Sequence, residues 1–267
     1  AAMNVAVLVK QVPDTTEIKM DPKTGTLIRE GVESIINPDD RLGLETALAL
    51  KDQLDARVIA LSMGPPQAID AISEAMAMGA DRGVLLSDRF FAGADTWATS
   101  FTLGKALEKL GQDEPLDLVI CGRQAIDGDT AQIGPQIAEH LGWPQITYVR
   151  EIKIKDGQIQ AWRQLPQGVE EVTCPLPALI TVLASPTPPR WPRVDLLLDA
   201  CLDKAPIESW NGADLGCPAK NTGLRGSLTQ VAKTFSPKTE RITEWVEGKP
   251  AEQALTLLSA LQEKNLI

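Results

Sequence analysis

The sequence predicts an α/β fold: a doubly wound, mostly parallel sheet with antiparallel additions and a C-terminal arm. Up to Gly142, short apolar runs suited to buried strands alternate with helical segments, which implies right-handed βαβ units and a parallel sheet. After Gly142, strand-like runs follow one another across turns, as antiparallel strands do. Near the C-terminus, Pro250 opens an isolated helix with a narrow apolar stripe at Ala254, Leu257, Leu258 and Leu261.

Apolar runs, caps and turns set the elements of the parallel part. Asn37 and Pro38 have the residue types of an N-cap and first helical position. The buried stripe of this helix is predicted at Leu44, Ala47, Leu48 and Leu54. The predicted order is strand Asn4–Gln11, a hairpin of Glu17–Met20 and Thr26–Arg29, the helix after Asn37, strand Arg57–Met63, helix Gln67–Met78, strand Gly83–Leu86, helix Asp95–Leu110 stopped by Gly111, and strand Leu116–Cys121.

The later elements are marked by turns and prolines. The predicted antiparallel strands, which flank the parallel core, are Tyr148–Lys155, Gln158–Arg163, Gly168–Thr173 and Ala178–Leu183. A Pro-rich excursion, SPTPPRWPR, follows at Ser185–Arg193, and Asp195–Leu202 is predicted as a short helix. We expect one nucleotide-binding α/β domain over residues 1–235, including a loop at about 185–205, and an arm over residues 236–267.

The composition and residue patterns argue against several classes of function. The formal charge of −10 argues against non-specific nucleic-acid binding, and no apolar run is long enough to span a membrane. The four cysteines form no C-x-x-C pair, so neither a metal site nor a disulfide framework is expected, and a reducing cytoplasm is the simple reading. His140 is the single histidine and is predicted to be a surface residue. No catalytic motif occurs, which suits a carrier whose chemistry belongs to a cofactor.

One stretch, Leu116–Gly142, carries the main functional signal. A buried strand leads through the polar turn RQAIDGDT to a helix over about Ala131–Leu141, and a helix N-terminus favours an anion. Gly122 and Gly128 would let the backbone approach a ligand closely. Asp127 and Asp129 would repel phosphate, so either they point away, with Asp129 or Thr130 capping the helix, or the turn binds no phosphate. On this pattern alone, a nucleotide phosphate site and a plain capped βα turn both stay open.

Several motifs together resemble the beta subunit of electron transfer flavoproteins. The turn and helix GRQAIDGDTAQIGPQIAEHLG is similar to that family's nucleotide loop. The opening VLVKQVPDTTEIKMDPKTGTLIREGV and the segment IINPDDRLGLETALALKD agree in order and spacing, and GSLTQVAKTFSPK agrees more loosely. The resemblance implies a Rossmann-like, adenine-nucleotide-binding sheet and an alpha subunit as partner in a heterodimer.

The resemblance also implies which residues bind the cofactor. Lys10 or Arg123 would place positive charge near the phosphates or ring. The full expected cofactor-binding set is Leu8, Lys10, Asn37, Pro38, Asp39, Asp40, Met63, Gly122, Arg123, Gln124, Ala125, Ile126, Asp127, Gly128, Asp129, Thr130, Ala131, Gln132 and Ile133. For Leu8 and Met63, an ordinary core role is an equal alternative.

The cofactor itself has two candidates. Carrier-type beta subunits hold AMP and typically read AIDDDxNQTG in the loop, with a cysteine after Asn-Pro. This chain reads AIDGDTAQIGP and NPDD, which looks more like bifurcating flavoproteins that bind FAD and oxidise NADH. Gly128 stands where the carrier type has the middle carboxylate and opens room beside the phosphates. FAD is therefore favoured, with AMP as the alternative.

The implied partners extend beyond the alpha subunit. In the family, the 185–205 loop docks a flavin dehydrogenase, and Val194 or Leu197 stands near the anchoring leucine, with Arg190 at the start of the segment. A bifurcating complex would pass electrons from NADH to an acyl-CoA-type dehydrogenase and to a low-potential acceptor such as ferredoxin or flavodoxin. The arm would embrace the alpha subunit, or alternatively pack on its own domain.

A nucleotide-binding regulatory module, or an adenylate-transferring enzyme on a similar sheet, is a more remote reading. Such enzymes usually carry S-G-G-x-D or H-x-G-H after the first strand, where this chain has KQVPDT.

Overall fold

The structure is a computed structural model that describes residues 3–14, 33–202, 204–232 and 243–267. The chain divides into two units, Ala1–Val231 and Ala232–Ile267, and each is described by itself. The hairpin predicted at Glu17–Met20 and Thr26–Arg29 lies outside the described residues. So does the boundary predicted between residues 235 and 236, and both stay predictions.

The first unit alternates strands and helices as the sequence predicts. Its elements in chain order are β1 (Asn4–Leu8), β2 (Gln11–Pro13), β3 (Ser34–Ile36), α1 (Pro38–Leu54), β4 (Arg57–Met63), α2 (Ile69–Met78), β5 (Arg82–Leu86), α3 (Thr96–Asp113), β6 (Leu118–Gly122), α4 (Ile133–Leu141), β7 (Gln145–Lys155), β8 (Gln158–Leu165), β9 (Gly168–Pro175), β10 (Ala178–Val182), α5 (Val194–Cys201), β11 (Ile207–Trp210) and α6 (Gly223–Gly226).

Nine of these strands form one sheet in the order β11-β5-β4-β1-β6-β10-β7-β8-β9. Pairing is parallel from β11 through β7, and β8 and β9 are added antiparallel. The central strands are almost wholly apolar because helices cover both faces. Leu44 of α1 and Ile72 of α2 lie in the core on one face, and Leu107 of α3 and Ile137 of α4 lie in the core on the other. The doubly wound, mostly parallel fold is therefore confirmed.

The sheet reverses its winding direction at β1. From β1 the chain moves through α1 to β4 on one side, and it later crosses from β5 through α3 to β6 on the other side. In doubly wound sheets, a crevice forms between the diverging loops beyond the carboxyl ends of such strands, which here are β1 and β6. This is the place in such sheets where ligands bind.

Two strands differ from the sequence prediction. β10 was expected to be an antiparallel flanking strand, but it lies between β6 and β7 and is parallel to both. All five of its residues are buried, and such an unbroken apolar run is typical of a central parallel strand. β11 was not predicted, because only its last residue is buried and its pattern, IESW, gives a weak signal.

Smaller differences concern element ends. The first strand ends at Leu8, and the following residues, Gln11–Pro13, pair antiparallel with Ser34–Ile36. Leu54 was expected in the buried stripe of α1, but it is exposed at the end of that helix. Gly111 does not stop α3, which continues to Asp113. A single glycine near the end of a helix lowers its stability only modestly and does not by itself end it.

The second unit contains one described helix, α7 (Pro250–Glu263), which starts at the predicted proline. The backbone N–H of Lys249 donates to a carboxylate oxygen of Glu252 at 3.0 Å, which fixes the first turn. None of the residues of α7 is buried within this unit. Among the helices of the described ranges, none has the length and apolar character needed to cross a bilayer.

Candidate functional site

The start of α1 joins the ends of the two switch-point strands. Asp40, in the first turn of α1, is buried, and its two carboxylate oxygens accept hydrogen bonds from Lys10 N at 2.9 Å and Gly122 N at 3.1 Å. Burial raises the pKa of Asp40 to about 7, although hydrogen bonds from Asn37, Lys10 and Gly122 oppose the shift. One side chain thus sets the distance between the β1 and β6 loops.

Asn37 fixes the shape of the loop that follows β6. It precedes α1 as predicted, but its side chain makes no capping bond to its own helix. Instead, its Nδ2 donates to the Gln124 carbonyl at 2.8 Å and its Oδ1 accepts from Ile126 N at 3.0 Å. Its own N–H donates to the Lys10 carbonyl at 2.8 Å. Asn37 is fully buried, and these three bonds to the backbone of the two loops make it a positioning residue for the loop after β6.

Gly122 and Gly128 have different structural roles. A Cβ atom on Gly122 would lie 2.4 Å from Asp40 Oδ1 and 2.5 Å from the backbone of Asp39, so Gly122 is needed for the packing of α1 against β6. This is a different role from the close ligand approach that we predicted for it. A Cβ atom on Gly128 would meet nothing within 4 Å. Gly128 therefore has open space around it, and its role beside a phosphate stays a prediction.

The acidic residues of the site are all held by partners inside the chain. Asp127 accepts from Lys10 Nζ at 2.7 and 2.8 Å through both oxygens, and Asp129 accepts from Gln124 Nε2 at 2.5 Å. Asp39 accepts from Arg123 Nε at 3.1 Å, and burial raises its pKa. Our prediction that Asp129 or Thr130 caps α4 was wrong, because Gln132 is the N-cap residue and makes no side-chain capping bond.

A row of backbone donors therefore stays free at the start of α4. Within the described part of the chain, the N–H groups of Thr130 to Gly134 have no acceptor. Asp129 and Ala131 have positive φ angles of 52° and 53°, and Gln132 returns to the right-handed helical region at φ −106° and ψ −24°. Alternating left- and right-handed backbone turns successive N–H groups toward one side, as in anion-binding nests, and we refer to residues 129–134 as the nest. A positive φ is strained for alanine, and such strain concentrates at functional sites.

The other expected residues lie at the same edge of the sheet as this nest. The Ala125 carbonyl accepts from Asp129 N at 2.9 Å and closes the turn at Ile126–Gly128. Leu8 and Met63, the last residues of β1 and β4, belong with Ile133 to the core on the α3 and α4 face. Pro38 is the first residue of α1. The structure thus brings the expected cofactor-binding residues to one edge of the sheet. For Leu8 and Met63, it shows the core role.

Sequence reasoning missed a polar contact between α3 and α4. Thr96, the first residue of α3, donates from its hydroxyl to Gln132 Oε1 at 3.2 Å and accepts from Gln136 Nε2 at 3.3 Å. Asp95 caps α3 and also accepts from the backbone of Leu228 at 2.8 Å. Thr96 begins the helix that follows β5, close to the carboxyl ends of the parallel strands, and that position was the available signal.

The single histidine is also placed differently from our prediction. His140 lies between α3 and α4 rather than on the open surface, and its ring is 4.8 Å from that of Trp97. Its Nε2 is 3.3 Å from the hydroxyl oxygen of Ser100, a buried residue. Burial lowers the pKa of His140, and the ring packs against Trp97 and Phe101 of α3.

The expected docking segment lies away from the nest. Arg190 is turned inward: its guanidinium donates to Glu45 at 2.9 Å and to Asp52 at 2.8 Å, and its backbone N–H also donates to Glu45 at 2.9 Å. Hydrogen bonds to these carboxylates raise its pKa. Val194 is 71% exposed and Leu197 37% exposed on α5. Arg190 therefore anchors the segment on α1, whereas Val194 and Leu197 face outward.

The chain is similar to known proteins of one family. A family model described as "Electron transfer flavoprotein domain" matches residues 24–215. The caffeyl-CoA reductase-Etf complex subunit CarD of Acetobacterium woodii is 48% identical over 267 residues, covering 99% of this chain and all of that protein. The electron transfer flavoprotein subunit beta of Thermoanaerobacterium thermosaccharolyticum is 46% identical over 265 residues, with 99% and 100% covered. Protein FixA of Azorhizobium caulinodans is 42% identical over 271 residues, with 98% and 96% covered. The chain therefore belongs to the family of electron transfer flavoprotein beta subunits.

Proposed function

We propose that this chain is the FAD-binding beta subunit of a heterodimeric electron transfer flavoprotein that performs flavin-based electron bifurcation. The observation that supports the cofactor site is the row of N–H groups from Thr130 to Gly134, which have no acceptor among the described residues and lie at a helix start, where the helix dipole favours an anion. The alpha subunit would complete the site. The domain of residues 1–235 would hold the nucleotide, and the arm of residues 236–267 would embrace the alpha subunit.

The loop fits a diphosphate. Asp127 and Asp129, the two carboxylates that would repel phosphate, are drawn to Lys10 and Gln124. Gly128 contributes open space at the loop tip, where a side chain would stand beside the phosphates. These features favour FAD, whose two phosphates need more room and donors than the one phosphate of AMP. AMP is the alternative ligand, because a single nest is also sufficient for one phosphate.

When bound, FAD would supply the chemistry of accepting a hydride from NADH and passing electrons on. The chain itself would bind and orient. Its nest would hold the phosphates, Asn37 would fix the loop, and Arg123 would balance the charge of Asp39. No group of the chain is needed as a nucleophile or base.

The outward-facing part of residues 185–205 would dock a flavin dehydrogenase. Val194 and Leu197 present apolar surface on α5, and Arg190 holds the base of that segment. An acyl-CoA-type dehydrogenase is the proposed partner, which is supported by the name of the 48% identical relative, a subunit of a caffeyl-CoA reductase-Etf complex. A low-potential acceptor such as ferredoxin or flavodoxin would take the second electron.

The test is the cofactor content of the purified alpha–beta heterodimer. Denaturation and chromatography should release two FAD and no AMP per heterodimer, and NADH should bleach the flavin absorbance. One FAD together with one AMP, and no response to NADH, would support the AMP-binding carrier instead.

A further inference from the structure

Lys10 and Arg123, the cations predicted for the nucleotide site, are both paired with the chain's own carboxylates. Lys10 Nζ contacts both oxygens of Asp127, and Arg123 Nε contacts Asp39. Lys10 lies on the β1 loop and Asp127 on the β6 loop, so their ion pair spans the crevice at the switch point. An anion that enters this crevice meets a cation that is already neutralised.

The side chain of Lys10 is able to exchange Asp127 for another partner. The backbone of Lys10 is fixed at both ends, because its N–H donates to Asp40 and its carbonyl accepts from Asn37 N. Its side chain, in contrast, is 47% exposed, whereas that of Asp127 is 11% exposed. A long, flexible ammonium on a fixed backbone can swing without a change in the fold. The loop that carries Asp127 is held by Asn37 through Gln124 and Ile126 and stays in place.

We propose that Asp127 is a built-in substitute for the ligand's phosphate: it holds Lys10 in the nucleotide-free chain and releases it to the phosphate when an adenine nucleotide binds. This inference rests on the proposed nucleotide site and adds what a phosphate must displace to bind there. A phosphate that recruits Lys10 has to replace Asp127 as its partner, so the Lys10–Asp127 pair lowers the affinity for phosphorylated nucleotides. A nucleoside brings no anion, leaves the pair intact and is not affected by it.

The experiment uses ADP, which carries the adenine, ribose and phosphate chemistry of both candidate cofactors, and adenosine as the matched neutral probe. Affinities are measured calorimetrically on the alpha–beta heterodimer freed of bound nucleotide, for wild type, Asp127→Asn, Lys10→Met and the double variant. We expect Asp127→Asn to tighten ADP binding about two- to fivefold, the range of a partly exposed ion pair, and to leave adenosine unchanged. Lys10→Met should weaken ADP binding.

The double variant separates this reading from simple repulsion. If Asp127 acts by holding Lys10, its replacement gives no gain once Lys10 is methionine. ADP binding by Asp127→Asn should also fall more steeply with added salt than binding by wild type, because a free lysine then meets the phosphate. An equal gain with and without Lys10 would show repulsion alone and overturn the proposal. Weaker binding by Asp127→Asn would show a structural role and overturn it as well. If wild type binds no ADP, the nucleotide site itself is refuted, and that outcome is distinct from both others.

Discussion

Asn37 offers the sharpest test of how the nucleotide loop is held. Asn37→Ala removes the bonds to the Gln124 carbonyl and the Ile126 N–H, at 2.8 and 3.0 Å, from a residue that is fully buried. Each lost bond costs about 1 kcal/mol, and the backbone groups left unpaired add to that cost. Both groups lie in residues of intermediate exposure, so water restores part of the loss. We expect a total of about 2–3 kcal/mol.

The assay is thermal unfolding of the purified heterodimer together with its nucleotide content. A loss of this size lowers the melting temperature by about 4–10 °C in a domain of this length. The nucleotide should be lost at the same time, because the nest begins four residues after Ile126. The matched control is Asn211→Ala, which also removes two side-chain bonds, to Ala213 N and Asp214 N, but in an exposed turn. Unchanged melting and full nucleotide content in Asn37→Ala would refute the positioning role.

Three further predictions follow from the same contacts. Gly122→Ala should lower the free energy of unfolding by about 1–3 kcal/mol, because its Cβ would overlap Asp40. Gly128→Ala should change it hardly at all, because the added Cβ meets nothing. Equal effects of the two variants in chemical denaturation would contradict this packing role of Gly122. Asp40 has its pKa raised by burial to about 7, so the native state holds a proton that the unfolded chain releases above about pH 4, and stability should fall as pH rises from about 4 toward 8. That slope should flatten in Asp40→Asn, and a slope of the same size in both proteins would rule out Asp40 as its source. Arg190→Met should lower the melting temperature and slow electron delivery to the dehydrogenase, because buried Glu45 loses its partner. Arg193→Met breaks a pair with exposed Asp195 and should change neither quantity. Matching behaviour of the two variants would show that Arg190 is no anchor.

The parallel core could be predicted because its signals are local. Apolar runs such as Arg57–Met63 and caps such as Asn37–Pro38 mark elements whose bounds agree with the structure. The place of β10 could not be read from its own residues, since a buried run next to turns fits either orientation. Its central position depends on pairing with β6, about 60 residues earlier in the chain. β11 is an edge strand with little burial and leaves almost no pattern.

For the site, the sequence indicated the right edge of the sheet but not the roles of its residues. The sequence suggested that Gly122 faces a ligand. Its lack of a side chain is instead required by the first turn of α1, which packs against it and is distant in sequence. Asn37 looked like a helix cap, yet its side chain serves a loop 87 residues later. The positive φ angles of Asp129 and Ala131 have no sequence signature, because neither residue is a glycine. Such roles arise from tertiary contacts, which local propensity does not encode.

The central claim is that the loop at Gly128 and the nest beyond it hold the FAD of this subunit. Its most direct test is FAD per heterodimer in wild type, Gly128→Val and Gly111→Val. Both glycines have free space around the added Cβ, so both variants should fold and melt like wild type. The account predicts two FAD in wild type and in Gly111→Val, but one FAD in Gly128→Val, because a branched side chain fills the space beside the phosphates. A folded Gly128→Val heterodimer that keeps two FAD would contradict it.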